Sequence, residues 1–206
     1  MSNGVVITIG RQFGSGGRAI GKAVAEKLGI PFYDKEIIKH IAEKSGLSRE
    51  ILEDYDERPT NSFLYSLSLG AYTYGNPITS VLEMPMSDKI FSIQSDVIKR
   101  LASEGPCVIV GRCAESILKD EASTLSVFVH TDTENRISRV AEYEGISRAE
   151  ASDLIRKTDK KRASYHNYYS ELKWGAATSY DICIDSKIGI DNAAKLIIDV
   201  VSMKEE

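Results

Sequence analysis

The chain has 206 residues, with 26 Lys and Arg against 30 Asp and Glu and a formal net charge of -4. That length suits a single domain with a sizeable core, needing neither disulfides nor metal. The negative balance argues against a nucleic-acid polymer or an anionic membrane as partner, because both need a broad basic face. Cys107, Cys113 and Cys183 are odd in number and lack C-x-x-C spacing, so neither a disulfide framework nor a zinc site is indicated. The opening apolar run is too short for a signal peptide, and no stretch of about 20 apolar residues follows, so a cytoplasmic protein is expected.

In chain order, the β-branched run at residues 5–9 predicts a first strand, and residues 17–28 a helix directly after a glycine cluster. A strand at 31–34 and helices at 35–44 and 87–102 come next, then strands at 107–111 and 125–130. Helices at 133–143 and 147–170, a strand at 180–185 and a helix at 190–203 complete the pattern. This alternation predicts a parallel sheet covered by helices. Ser147 to Glu150, SRAE, is a capping-box pattern that fixes the start of the long helix. Residues 58–85 mix Pro, Gly, Ser and Tyr over a length too great for an ordinary connection, and read as a mobile lid or an insertion with short helices of its own.

The glycine cluster carries the chemistry. Glycines at 14, 16 and 17 permit positive-φ turns that aim successive amides at one point, and the following helix adds its first-turn amides and dipole. Gly14, Ser15, Gly16, Gly17, Arg18 and Ala19 therefore form a candidate anion nest. Arg11 and Arg18 flank it as sources of positive charge. A bare strand-to-helix turn is the bland alternative.

Four stretches, GRQFGSGGRAIGKAVAEKLGIPFYDKEII, PCVIVGRCAESIL, RKTDKKRASYHNYYSELKWG and YDICID, span the chain. Together they resemble the cytidylate-kinase-like family, a branch of the P-loop nucleoside-monophosphate kinases. The resemblance implies an α/β, three-layer fold of the P-loop NTPase type, with a five-stranded parallel sheet and a helical lid. Within one domain of residues 1–206, the acceptor region and insertion would occupy about 35–105 and the basic lid about 145–176. It also implies ATP and Mg2+ as cofactors, with the terminal phosphoryl group passing to a nucleoside monophosphate or similar phosphate-bearing small molecule.

The likeness is partial at the residues that matter. Gly14 and Gly16 match glycines of the kinase loop, but Gly17 stands where the family's enzymes carry lysine, and Ala19 where they often have a hydroxyl that reaches magnesium. Arg112 matches the acceptor-phosphate arginine, Cys113 replaces an aspartate, and Glu115 is a candidate substitute for that aspartate. Asp34 is kept in the acceptor region, while Lys39 and His40 replace a tyrosine and an arginine. These changes count against strict CMP specificity.

Arg156, Lys157, Lys160, Lys161 and Arg162 form a basic run that is either a solvated helix face, paired with Asp153 and Asp159, or a lid that brings cations to the transferring group. Arg156 and Arg162 are the candidate catalytic cations there, beside Arg18 and Arg112. Tyr165, Tyr168, Tyr169 and Trp174 read as base-stacking or packing residues, with packing at least as good an account. His40, His130 and His166 lack partners at metal-ligand spacing and are expected at the surface or at a strand end. The functional expectation is a phosphotransferase, the alternative a nucleotide-binding regulatory protein that kept the fold without efficient catalysis.

Overall fold

The computed structural model describes residues 4–48, 50, 52, 85–121 and 123–205. Residues 58–84 of the irregular stretch therefore lie outside the described residues. Five strands, β1 (Val6–Arg11), β2 (Phe32–Tyr33), β3 (Val108–Val110), β4 (Thr124–His130) and β5 (Ile182–Asp185), form one sheet in the order β2-β3-β1-β4-β5. Every pairing is parallel. Among the described residues the α-helices are α1 (Gly17–Leu28), α2 (Glu36–Ser45), α3 (Met86–Ser103), α4 (Ala114–Ile117), α5 (Thr133–Glu144), α6 (Arg148–Tyr169) and α7 (Ile190–Glu205).

Strand alternation sorts the core into two layers. Ile7, Ile9, Val108 and Val110 point to one face, where Ile20 and Val24 of α1 and Ala193, Ala194 and Ile197 of α7 cover them. Val6, Cys107 and Ile109 point to the other, under Ile37 and Ile41 of α2, Val97, Ile98 and Leu101 of α3 and Ala114 of α4. Burial on both faces is why the strands read as continuous β-branched runs rather than as alternating polar and apolar residues. Gly21 lets α1 approach the sheet closely, since a Cβ there would already touch Ile9 and Val108 at 3.3–3.4 Å. None of the described helices is long and apolar enough to cross a membrane.

Helices α5 and α6 form a hairpin with a small core of its own, made by Ile137, Val140, Ala151 and Ile155. Ser147 caps α6 as the sequence pattern predicts. Its backbone N–H donates to Glu150 Oε2 at 2.9 Å, and its side chain accepts from the Glu150 amide. The hydrogen bonds to Ser147 hold the Glu150 carboxyl below its ordinary range. The four-residue helix α4 is absent from the sequence-based pattern, because so short a turn shows no period.

Ser147→Ala removes the acceptor for an otherwise unpaired amide. It is expected to lower the urea midpoint with an unchanged m-value, by about 1 kcal/mol in stability.

Candidate active site

Strand β1 runs between β3 and β4, so its carboxyl end opens onto the crevice at the edge of the sheet where parallel α/β folds place ligands. The chain leaves β1 at Arg11 and enters α1 at Gly17. Between them Gly14 and Gly16 take φ of +76° and +82°, the left-handed region that glycine occupies without strain. The loop is tied down by Gln12, whose amide donates to Val129 O at 3.0 Å and whose carbonyl accepts from the Ser15 hydroxyl at 2.9 Å. Helix α1 starts without a side-chain cap and without an acidic residue in its first turn, so the positive end of its dipole is not offset by its own side chains.

The loop floors a cleft of about 570 Å³. Arg11, Arg18, Lys35, Arg112 and Arg162 bring five cations to its walls, against the carboxylates of Asp34 and Glu144. These cations come from separate parts of the chain, the signature of a site rather than of a basic run. A second cavity, of about 490 Å³, opens at the opposite end of the sheet, beside Thr124 and Asp181. None of its lining residues belongs to the glycine loop.

Asp34, just past β2, organises the wall of the cleft that Arg18 and Arg112 form. Its carboxylate takes Arg18 Nε at 2.6 Å, and its backbone oxygen takes the Arg112 guanidinium at 2.8 Å. Arg112 is buried with its side chain only 2% exposed, and its carboxylate distance to Asp34 is 3.8 Å. Arg18 thus turns toward the end of β2, with its guanidinium also 5.9 Å from the Phe32 ring centre. Arg112 sits in an unusual backbone: Gly111, Arg112 and Cys113 have successive φ of +75°, +59° and +56°. Each non-glycine residue there costs about 1–2 kcal/mol. The turn is held by Gln94 of α3, which donates to Arg112 O at 3.1 Å and to the Tyr165 hydroxyl at 2.9 Å.

The basic run of α6 divides. Arg162 faces the cleft, donating to Arg11 O at 3.4 Å and lying 5.5 Å from the Phe13 ring centre. Arg156 remains on the solvent side, 72% exposed and paired with Asp153 at 3.0 Å, and Lys157, Lys160 and Lys161 are exposed as well. Asp159, by contrast, turns inward. It accepts the Phe13 amide at 2.7 Å and pairs with Arg136 of α5, so the α5–α6 hairpin is fastened to the tip of the loop. Arg139 adds a third tie, donating to Ser15 O and to the Ser186 hydroxyl, each at 3.0 Å. Arg136 and Arg139 lie three residues apart on one helix face just after β4. That spacing is the only sequence signal for them, and it gives no hint of their target.

Glu115 does not line the loop cleft itself but a small cavity that Arg11, Arg112 and Arg162 also line; it is buried, with Oε1 2.6 Å from His166 Nε2. His166 is therefore a buried partner and not the surface residue its polar neighbours in sequence suggest. Tyr165, Tyr169 and Trp174 pack: Tyr169 stacks on Phe91 at 3.9 Å and donates to Asp88 at 2.7 Å, and Trp174 meets Phe128 edge-on at 5.4 Å. Cys113 is buried, and Cys107 lies deep enough that desolvation pushes its thiol up to about 12. Ala19 is exposed, and the Ser15 hydroxyl is engaged inside the loop, so at these positions only the backbone offers donors toward the cleft.

A parallel sheet ordered 2-3-1-4-5, a glycine loop between its central strand and the next helix, and a helical hairpin over that loop define a P-loop kinase type of fold. The chain belongs to the cytidylate kinase-like family, whose sequence model matches residues 6–188. It is 25% identical over 205 residues to the cytidylate kinase of Archaeoglobus fulgidus, covering 97% of this chain and 96% of that protein. An uncharacterized protein from Eubacterium ventriosum superposes with a TM-score of 0.71 at 32% identity, over 96% of this chain and 98% of that one. Shikimate kinase from Bacteroides thetaiotaomicron shares the fold at 15% identity, with a TM-score of 0.54 over 96% of this chain and 98% of that one.

Gly14→Ala tests the loop geometry. Its Cβ would stand 2.8 Å from Val140 Cγ2 and 3.1 Å from the Arg136 carbonyl oxygen, at a φ that side chains rarely adopt. The variant is expected to lose roughly 1–3 kcal/mol in a thermal melt.

Proposed function

We propose that the chain is a phosphotransferase that moves the terminal phosphoryl group of ATP to a nucleoside monophosphate of the CMP type or to a similar small phosphate-bearing acceptor. The observation that carries this reading is the convergence of Arg11, Arg112 and Arg162 on one cleft floored by the glycine loop. A donor triphosphate fits the loop amides and the uncapped start of α1. An acceptor phosphate fits the Arg112–Asp34 side, the other wall of the same cleft. The curated relative from Archaeoglobus fulgidus is named a cytidylate kinase, which supports a nucleotide acceptor.

A non-bridging oxygen of the acceptor phosphate forms a bond to the terminal phosphorus of ATP as the bond from that phosphorus to its bridging oxygen breaks, and ADP leaves with the electron pair. No protein nucleophile is needed, because positioning and charge neutralisation carry most of such a reaction. Arg162 from the hairpin and Arg112 from the turn after β3 face the transferring group from two sides. Among the described residues no group of three His, Cys, Asp or Glu is placed to hold a metal, and position 19 offers no hydroxyl. Magnesium would enter with the ATP phosphates, since such a site keeps several waters and needs few protein ligands.

ADP release with MgATP and a panel of nucleoside monophosphates and phosphorylated metabolites tests this reading. At least one acceptor is expected to raise release well above the ATP-only rate. On that pair Arg162→Ala should cut kcat about a hundredfold while moving the KM for ATP only a few-fold. ATP binding without any active acceptor would favour a regulatory nucleotide binder, the reading that the missing loop lysine and hydroxyl support.

A further inference from the structure

The P-loop motif reads G-x-x-x-x-G-K-[ST], with a glycine six residues before a lysine that reaches the donor's terminal phosphates. In this chain the second glycine is Gly16. The lysine position is then Gly17, and the position of the first glycine is Arg11. Both ends of the six-residue interval have changed, in opposite senses: the glycine has become a cation and the cation a glycine.

The two positions meet in space. A Cβ built on Gly17 would lie 2.6 Å from Arg11 Cβ and 3.3 Å from Arg11 Cγ, with Val129 Cβ closing the third side at 3.2 Å. Carbon atoms of side chains do not approach to 2.6 Å, and neither neighbour can swing away. Arg11 Cβ is fixed by the last residue of a strand paired on both sides of its length, with Arg11 opposite Val129, and Val129 belongs to β4. The site accommodates a side chain at 11 or at 17, not at both. Here Arg11 fills that space, and it lines the cleft together with Gly16, Gly17 and Arg162. Arg18 lines the same cleft but is paired there with Asp34 at 2.6 Å.

We propose that Arg11 and Gly17 form a reciprocal exchange, in which the cation that binds the donor's terminal phosphates enters the loop from the end of β1 instead of from the first turn of α1, and Gly17 is required to leave room for it. This rests on the donor side of the function proposed above. It further implies that a planar guanidinium, able to hold two phosphate oxygens at once, replaces the flexible ammonium of the common motif.

A four-protein cycle tests the exchange: wild type, Arg11→Gly, Gly17→Lys and the double variant Arg11→Gly/Gly17→Lys, with binding of ATP and of inorganic tripolyphosphate measured by calorimetry and folding by thermal melt. Arg11→Gly should melt close to wild type yet bind both ligands roughly 10- to 100-fold more weakly, the worth of one charge-assisted contact. Gly17→Lys should melt well below wild type because two side chains compete for one space. The double variant should regain both the melting temperature and most of the affinity, so that the two changes are strongly non-additive. If Gly17→Lys alone does not fold well enough for binding, the melts of the double variant and of Gly17→Ala carry the steric arm, Gly17→Ala being expected to destabilise more with Arg11 present than in the Arg11→Gly background, where only the 3.2 Å contact with Val129 Cβ remains. Unchanged binding in Arg11→Gly, or a double variant no better than its worse parent, would overturn the exchange. Binding of tripolyphosphate is read without an acceptor, so failure to find an acceptor would refute the proposed transfer and leave this result standing. Loss of the cycle with transfer intact would refute only the exchange.

Discussion

Everything in the cleft hangs from the carboxyl end of β1. That strand is hydrogen-bonded on both sides, to β3 and β4, and its backbone must pass from Arg11 to the first turn of α1 within a few residues. The confinement dictates the rest. It requires positive φ at Gly14 and Gly16, it brings positions 11 and 17 closer than two side-chain carbons can approach, and it leaves the start of α1 open to the cleft. A loop built this tightly has room for one long side chain, and which strand or helix supplies it becomes a choice of the sequence.

The hairpin of α5 and α6 depends on the same loop. Asp159 holds the Phe13 amide, Phe13 packs on the hairpin core, and Arg139 holds the Ser15 carbonyl. Loop and hairpin are therefore one mechanical unit, and Arg162 is delivered to the cleft by a helix whose position is fixed by the loop it faces. On the other wall, the left-handed turn at Gly111, Arg112 and Cys113 is maintained by Gln94, whose amide also reaches Tyr165 of α6. The helix that carries Arg162 is thus joined through Gln94 to the turn that carries Arg112. Breaking the buried Arg112–Asp34 contact would leave an uncompensated charge in the interior, which is more costly than losing a surface pair.

The layered fold was legible because the strands are doubly buried and because α1, α3, α5, α6 and α7 each have clear period or caps. Element ends fell within a residue or two, and the Ser147 cap sits where its pattern places it. The turn of the loop and the cleft-facing placement of Arg162 agree with what local chemistry indicated. What could not be read were contacts between distant elements. Asp159 and Asp153 look alike beside the basic run, yet one grips the loop and the other stays in solvent. Arg156 and Arg162 lie six residues apart on α6 and end on different sides of it, and His166 gains its buried partner Glu115 from a segment 51 residues away. The closeness of Arg11 to Gly17 was hidden for the same reason: a six-residue interval says nothing about distance until the turn between them is known.

A crystal structure with magnesium and a non-hydrolysable ATP analogue tests the account most directly. The β- and γ-phosphates should lie on the backbone amides of residues 14–19, with the Arg11 guanidinium within hydrogen-bonding distance of the terminal phosphate and Arg162 facing it from the hairpin. Phosphates held elsewhere, for example in the cavity beside Thr124 and Asp181, or a loop that turns its amides away from the ligand, would contradict it.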